Sequence, residues 1–206
     1  MSRPDSLDRV RRRARDCRDC GLWREATQTV FGEGPHSAAI MLVGEQPGDR
    51  EDRAGRPVVG PAGRVLDEAL EVASIDRAAL YTTNAVKHFK FRERGKRRIH
   101  QRPSVGEIDA CLQWLRAEIE LVSPRVVVAL GASAAHALMG RATAIGANRG
   151  HPLEGALFSP VVVTAHPSSV LRERDREARG AALAQLGEDL RLAAEIARDA
   201  PENGRA

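Results

Sequence analysis

Residues 38–49 read Ala38-Ala-Ile-Met-Leu-Val-Gly44-Glu45-Gln46-Pro47-Gly48-Asp49, an apolar run followed by a turn with two glycines. The run is typical of a buried strand, which we predict over residues 38–43. A glycine-flanked turn at the carboxyl end of a parallel strand is where α/β proteins place their ligands. Glycines there let the backbone approach a bound molecule closely. An ordinary strand-to-helix turn is the alternative, but the carboxylates Glu45, Asp49 and Asp52 favour a functional site.

Strands and helices alternate along the rest of the chain. We predict a basic helix over residues 5–18, helices at 62–74, 104–121, 131–139 and 175–198, and strands at 80–86, 125–130 and 161–164. This order predicts an α/β fold, a three-layer α/β/α sandwich with a mainly parallel central sheet of about four strands. The chain of 206 residues is expected to form one domain over 1–206, with a disordered tail at about 201–206.

The segment from Asn84 to Cys111 has a strong local excess of positive charge. Between Lys87 and Arg102 it holds eight Lys or Arg and one acid, for a net charge of +7, so the rest of this +4 chain is close to −3. Phe89 and Phe91 are interleaved with the cations. Such a basic and aromatic segment is expected where a protein binds a phosphate backbone. A solvated, irregular basic loop is the alternative.

His100 lies within this basic segment. Because nearby cations disfavour protonation of an imidazole, we expect its ring to stay neutral and to keep a nitrogen lone pair. The residue is therefore a candidate base or nucleophile. A surface histidine in a flexible loop is the alternative.

Composition excludes several other classes of protein. Hydrophobic residues at 42% and charged residues at 29% are ordinary for a soluble globular chain. No apolar run approaches the roughly 20 residues that a membrane span needs, and no apolar core follows the first charges, as it would in a secretory signal. We therefore expect a cytoplasmic protein without membrane association. The isoelectric point of about 9.4 is compatible with a nucleic-acid partner.

The three cysteines are candidates for a metal centre. An odd number of cysteines in a reducing compartment argues against a disulfide framework. Cys17-Arg-Asp-Cys20, followed by glycine, places two thiols within reach of one metal. That pair alone is compatible with zinc, with a redox pair or with neither. Because Cys111 is the only other cysteine, a site with four ligands requires a histidine.

Four short motifs together carry a resemblance to a known family. They are Gly44-Glu-Gln-Pro-Gly-Asp49, Asn84, Lys96-Arg-Arg-Ile-His100 and His166-Pro-Ser-Ser169. The chain resembles the uracil-DNA glycosylase superfamily from about Cys17 to the last helix, and it is most similar to the iron-sulfur UdgX group, whose mark is the KRRIH loop. The resemblance implies a fold of the uracil-DNA glycosylase type, a uracil-containing DNA partner, single- or double-stranded, and a monomer.

The resemblance also implies a metal centre. In the iron-sulfur glycosylases the third cysteine follows the strand that carries the asparagine, and His88 stands at that place here. The implied ligands of a [4Fe-4S] cluster are then Cys17, Cys20, His88 and Cys111, and histidine ligation of cluster iron is known from Rieske centres. A zinc site with the same four ligands is the alternative. The expected role of the cluster is structural, tying the first helix to both ends of the basic loop.

For the base, the resemblance implies a pocket that receives a flipped uracil. Asn84 would read the base, because an amide offers a donor and an acceptor that match N3–H and O4 of uracil. His166 would donate a hydrogen bond to uracil O2 as negative charge develops there. Gly44 and Gln46 would line and close the pocket. Val58 departs from the family, whose members usually place an aromatic residue there, stacked on the base.

For the sugar, the UdgX resemblance implies that His100 attacks C1′ and leaves the protein covalently joined to an abasic site, so that each molecule acts once. Glu45 is expected to orient His100. Asp49 and Asp52 are expected to position water or the sugar. The DNA phosphates are assigned to five side chains, namely Lys96, Arg97, Arg98, Ser168 and Ser169.

Two other functions remain open. The chain resembles family 4 iron-sulfur glycosylases as well, which would make it a multiple-turnover enzyme in which His100 only contacts DNA. It could also be a non-catalytic protein that binds single strands or abasic sites through the basic segment. Turnover separates the first alternative from covalent capture, and the absence of any released uracil identifies the second.

Overall fold

A computed structural model describes residues 6–200, and the predicted tail at about 201–206 lies outside them. The strands are β1 (Ile40–Gly44), β2 (Tyr81–Asn84), β3 (Phe91–Arg94), β4 (Arg97–His100), β5 (Val126–Leu130), β6 (Pro152–Leu153) and β7 (Val161–Thr164). The helices are α1 (Leu7–Arg15), α2 (Asp49–Ala54), α3 (Pro61–Ala73), α4 (Val105–Val122), α5 (Ala132–Met139), α6 (Ile145–Asn148), α7 (Pro167–Val170) and α8 (Arg176–Asp199). None of the helices within residues 6–200 is both long and apolar enough to cross a membrane.

The central sheet has the order β2-β1-β5-β7-β6. The first four strands are parallel, as predicted: each is short and buried, and at least one helix separates each from the next along the chain. The fifth strand, β6, was not predicted. It pairs antiparallel with β7 and contains only Pro152 and Leu153, which is too short to produce a period in the sequence.

Helices cover both faces of the sheet, which confirms the three-layer architecture. Met41 and Val43 of β1 belong to the core that contains α1, α4 and α5. Ile40 and Leu42, which alternate with them, belong to the core formed with α3 and α8. All four side chains are buried because successive side chains on a strand point to opposite faces and each face is covered.

The basic segment is not an irregular loop, the alternative that its charge left open. It forms an antiparallel hairpin in which β3 pairs only with β4, separate from the central sheet. Gly95 adopts a φ of 60° in the turn, a conformation that glycine reaches without strain. The hairpin could not be predicted from the sequence, because most of its side chains are polar and partly or fully exposed and so give no alternation of apolar and polar residues.

The first helix is shorter than predicted. It begins at Leu7, where the Ser6 side chain accepts a hydrogen bond from the backbone of Arg9, and it ends at Arg15. Cys17 and Cys20 therefore lie beyond the helix, in the turn that leads to a 3₁₀ segment at Gly21–Arg24.

The parallel strands bring the predicted motifs to one edge. Gly44 at the end of β1 is in register with Asn84 at the end of β2, and Leu130 of β5 is in register with Thr164 of β7. The segments that leave these strands therefore start side by side, at the carboxyl edge of the sheet.

Candidate active site

One cavity of about 760 Å³ opens at the carboxyl edge of the sheet. It is lined by segments that follow β1, β2, β5 and β7, together with the end of β4. The predicted site residues that line it are Gly44, Glu45, Gln46, Asp49, Val58, Asn84, His100, His166 and Ser168. Those that do not line it are Asp52, Lys96, Arg97, Arg98 and Ser169.

Asn84 sits at the buried end of this cavity. It is only 4% exposed, and its side chain lies against Gly44 on the neighbouring strand. A Cβ atom on Gly44 would lie 2.3 Å from Asn84 Oδ1, so any larger residue would displace the amide. Gly44 is thus needed to leave room for the Asn84 amide rather than to form a turn.

His166 precedes α7 and is held in one tautomer. Its Nδ1 accepts a hydrogen bond from the Ser168 backbone N–H at 3.1 Å, so the ring hydrogen of the neutral form is on Nε2. Burial lowers the pKa of His166 to about 4, against the opposing charge of Glu45. At neutral pH the ring is therefore an uncharged donor, suited to an oxygen on which negative charge develops.

His100 contacts Glu45, the residue that is expected to orient it. The distance from His100 Nε2 to Glu45 Oε1 is 3.1 Å, and half of the His100 side chain is exposed. The group next to the ring is thus a carboxylate rather than the cations expected from the sequence. Burial raises the pKa of Glu45, but contacts with His100 and Ser133 outweigh burial and bring the pKa below its ordinary value.

Val58 lines the cavity in a strained conformation. Its φ of 56° lies in the left-handed region, where a β-branched residue is rarely found. Two contacts hold the backbone there: Arg77 Nη2 donates to the Val58 carbonyl at 2.7 Å, and Glu51 accepts from the Gly60 N–H at 2.8 Å. The surrounding loop therefore fixes this conformation, whatever residue occupies position 58.

Arg98 has a different place from the one predicted. Its Nε donates to Asp49 at 2.5 Å and its Nη1 to Asp52 at 2.7 Å, and its side chain is only 12% exposed. Asp52 is fully buried and also accepts from the Thr27 backbone N–H. Both carboxylates thus pair with Arg98. Asp52 is enclosed within the protein, whereas Asp49 also lines the cavity. Arg98 forms its ion pairs within the protein rather than facing solvent.

The side chain of Gln46 anchors the hairpin rather than facing the cavity alone. Its Nε2 donates to the carbonyls of Lys90 and Gln101, and its Oε1 accepts from the Lys90 N–H at 3.0 Å. These residues flank β3 and β4, so Gln46 ties both ends of the hairpin to the turn after β1.

The remaining predicted phosphate ligands divide into two groups. Lys96 and Arg97 are exposed on the hairpin. Ser168 lines the cavity, with its Oγ 2.8 Å from His166 Nδ1. Ser169 instead donates its hydroxyl to the His166 carbonyl, which stabilises α7.

The predicted metal ligands lie around one buried region. Cys111 Sγ accepts from the Lys87 N–H at 3.3 Å, next to His88, and Cys17 Sγ lies 3.1 Å from Trp114 Nε1, on the same helix as Cys111. His88 Nδ1 is buried without a hydrogen-bond partner. Within residues 6–200, however, no three His, Cys, Asp or Glu side chains are arranged to hold a metal ion. The donor atoms suit a metal, but their arrangement does not complete a site.

Three residues in or directly behind the cavity wall were not singled out from the sequence: Arg102 and Arg172 line the cavity, and Ser133 is buried behind Glu45. Ser133, at the start of α5, donates its hydroxyl to Glu45, and Arg102 Nε donates to Ser133 at 3.3 Å. Arg172, after α7, adds a cation to the wall. The place of Ser133 in the sequence could have identified it as a candidate, because Gly131-Ala-Ser133 follows a buried strand in the same way as the turn after β1 does.

Comparisons with known proteins agree with this geometry. Residues 31–191 match the model of the uracil DNA glycosylase superfamily. A type-4 uracil-DNA glycosylase of Thermotoga maritima is 37% identical over 179 residues, covering 86% of this chain and 90% of its own length. The enzymes of the same name from Pyrobaculum aerophilum and Archaeoglobus fulgidus are 36% and 32% identical, over 81% and 89% of this chain and 85% and 93% of their own lengths. The chain therefore belongs to the uracil DNA glycosylase superfamily.

Proposed function

We propose that this protein excises uracil from DNA. The observation that carries the proposal is a single cavity in which a buried amide, Asn84, and a neutral imidazole donor, His166, lie together beside the Glu45–His100 pair. The amide can match N3–H and O4 of uracil, and the imidazole can stabilise charge at O2 as the N-glycosidic bond breaks. The names of the relatives support the same substrate.

Two fates of the sugar follow from the geometry. In the first, water attacks C1′ and the enzyme turns over; the type-4 relatives favour this outcome over covalent capture. Glu45, in its ionised form, is placed to accept a proton from that water. His100 then serves to position Glu45 and the DNA.

In the second, His100 itself attacks C1′, and this candidate rests on its contact with Glu45 and on the KRRIH sequence. The ring nitrogen that does not face Glu45 keeps its lone pair and forms the new bond to C1′. The C1′–N1 bond breaks and its electron pair leaves with uracil, while the other ring nitrogen loses its proton to Glu45. The product is an alkylated, neutral imidazole, which is a poor leaving group.

The test uses excess protein, a labelled oligonucleotide with one uracil, and denaturing electrophoresis. Free DNA with alkali-labile abasic sites indicates hydrolysis, whereas a slow band that survives heating in detergent indicates covalent capture. An oligonucleotide with thymine in place of uracil is the control. DNA that stays intact, with no uracil released, would contradict the proposal.

Substitution of His100 separates the two fates. Under covalent capture, His100→Ser should abolish the slow band and, by opening space for water, allow multiple turnover. Under hydrolysis, the wild-type protein already turns over and His100→Ser slows it. A slow band that persists in His100→Ser would refute His100 as the nucleophile.

We further propose that Cys17, Cys20, His88 and Cys111 hold a [4Fe-4S] cluster, with zinc as the alternative. The buried, unpartnered Nδ1 of His88 supports a ligand there. The group would supply a structural cross-link and takes no part in the chemistry above. Metal content of the purified protein distinguishes iron with sulfide from zinc, and His88→Ala should lower that content. Protein that contains neither metal when purified without oxygen would contradict a resident metal centre.

A further inference from the structure

Glu45 has two oxygen atoms, and each has a separate partner. Oε1 lies 3.1 Å from His100 Nε2, and Oε2 accepts the hydroxyl of Ser133. A carboxylate turns freely about its last bond unless both oxygens are held. The contact with Ser133 therefore limits the direction in which Oε1 can point.

Chemistry fixes the direction of the hydrogen bonds in this network. Arg102 Nε can only donate, so the Ser133 oxygen accepts from it at 3.3 Å. The Ser133 hydroxyl hydrogen is then available to Glu45, which as a carboxylate can only accept. The donors run from Arg102 to Ser133 to Glu45, and no alternative polarity satisfies all three groups.

Ser133 is also held rigidly by the fold. It is 1% exposed and is the second residue of α5, a helix that begins directly after Gly131. A Cβ on Gly131, where φ is 88°, would lie 2.9 Å from His166 Cβ. The start of α5 is thus packed between the two groups, Glu45 and His166, that act on the substrate in the proposed function.

We infer that Ser133 is a positioning residue that holds Glu45 in the orientation needed to take a proton, from water or from His100. The inference rests on the proposed function but applies to either fate of the sugar. It predicts that the hydroxyl of Ser133 matters only through Glu45.

The experiment measures the single-turnover rate of uracil loss from an oligonucleotide by the full chain. Ser133→Ala should lower this rate about tenfold, the effect of one hydrogen bond to a charged group, with little change in DNA affinity. Ser133→Thr, which keeps the hydroxyl, should stay near the wild-type rate. Ser159→Ala is the matched control, because Ser159 also donates to a glutamate, Glu154, but on the exposed surface.

Two further readouts distinguish positioning from a general loss of packing. In a Glu45→Gln background, Ser133→Ala should have no further effect on the rate. The acidic limb of the pH–rate profile should move to higher pH in Ser133→Ala, because one of the contacts that lowers the pKa of Glu45 is lost. The groups that face Glu45 are His100, His166 and Ser133, with Arg102 behind Ser133. Only Ser133 is replaced in that variant.

The outcomes separate this inference from the proposed function. A wild-type protein that releases no uracil would contradict both. A Glu45→Gln variant with the full rate would remove the role of Glu45, and that of Ser133 with it. Three other outcomes would contradict only the inference about Ser133. In the first, Glu45→Gln is slow but Ser133→Ala keeps the full rate. In the second, Ser133→Ala and Ser133→Thr are equally slow, and in the third, Ser133→Ala lowers the rate as much in the Glu45→Gln background as in the wild type.

Discussion

At the scale of single residues, the cavity combines a backbone strained at Val58 with a neutral imidazole at His166. Gly44, Glu45 and His166 could be found in the sequence because each lies at or just after the end of a buried strand. The strain at Val58 could not be found, since it depends on Arg77 and Glu51 holding the backbone. Nor could the sequence show that Arg98 is paired with carboxylates.

Replacing Val58 by phenylalanine should strengthen binding of the base. The backbone conformation is fixed by the loop, and phenylalanine, which is not β-branched, tolerates it better than valine. A ring stacked on uracil contributes about 1–3 kcal/mol, so the half-saturating protein concentration in single-turnover assays should fall about tenfold. Val58→Leu is the control for size without a ring. An equal gain in both variants would show that stacking is not the cause.

His166 should make stability depend on pH. Its pKa is about 4 in the folded protein and 6.5 when unperturbed, so between these values the unfolded chain binds a proton that the folded protein excludes. The free energy of unfolding should therefore fall as the pH drops from 6.5 to about 4. Urea denaturation at several pH values should show a shallower fall in His166→Asn than in the wild type. His151→Asn, at an exposed site outside the cavity, is the control.

At the scale of elements, the hairpin is the main difference between expectation and structure. Alternation within a strand puts Arg97 and Arg98 on opposite faces, but which of them faces the protein depends on carboxylates more than 40 residues away in the chain. Composition therefore predicts a basic surface, but it does not show which of the cations form ion pairs within the protein.

Arg97 and Arg98 should respond differently to the same substitution. Arg98→Met leaves Asp52 as a buried charge without its cation and should lower the free energy of unfolding by about 3 kcal/mol. Arg97→Met, at the exposed neighbouring position, should change stability by less than about 0.5 kcal/mol. It should instead weaken DNA binding and reduce the salt dependence of log K by about one unit. Denaturation curves and binding titrations at several salt concentrations test both, and equal loss of stability would contradict the assignment.

At the scale of the whole molecule, one buried ion pair joins segments that are distant in sequence. Glu118 on α4 accepts from the Gly32 N–H, from the hydroxyls of Tyr81 and Thr83 on β2, and from Lys87 at 2.5 Å. Both charged side chains are at most 1% exposed. The apolar runs predicted the layers of the fold, but this polar centre could not be predicted, because a lysine and a glutamate in sequence give no sign of burial.

Removing either member of this pair should destabilise the protein. Removing both should lower the free energy of unfolding by less than the sum of the two single losses. Lys87→Met leaves a buried carboxylate and Glu118→Gln leaves a buried ammonium, and each should lower the free energy of unfolding by about 3 kcal/mol or more. The double variant should lose less than the sum of the two, by about 1–3 kcal/mol. Chemical denaturation of the four proteins gives this coupling energy, and a value near zero would mean that the pair contributes no mutual stabilisation.

The separation of the hairpin from the central sheet has a consequence for how such proteins diverge. Its two strands pair only with each other, and side-chain contacts of Gln46, Arg98 and His100 join it to the rest of the protein. The length and sequence of the hairpin can therefore change in evolution between these contacts without altering any strand pairing of the central sheet. His100 lies at the end of that segment, so a change at this position leaves the strands that carry Gly44 and Asn84 unaltered.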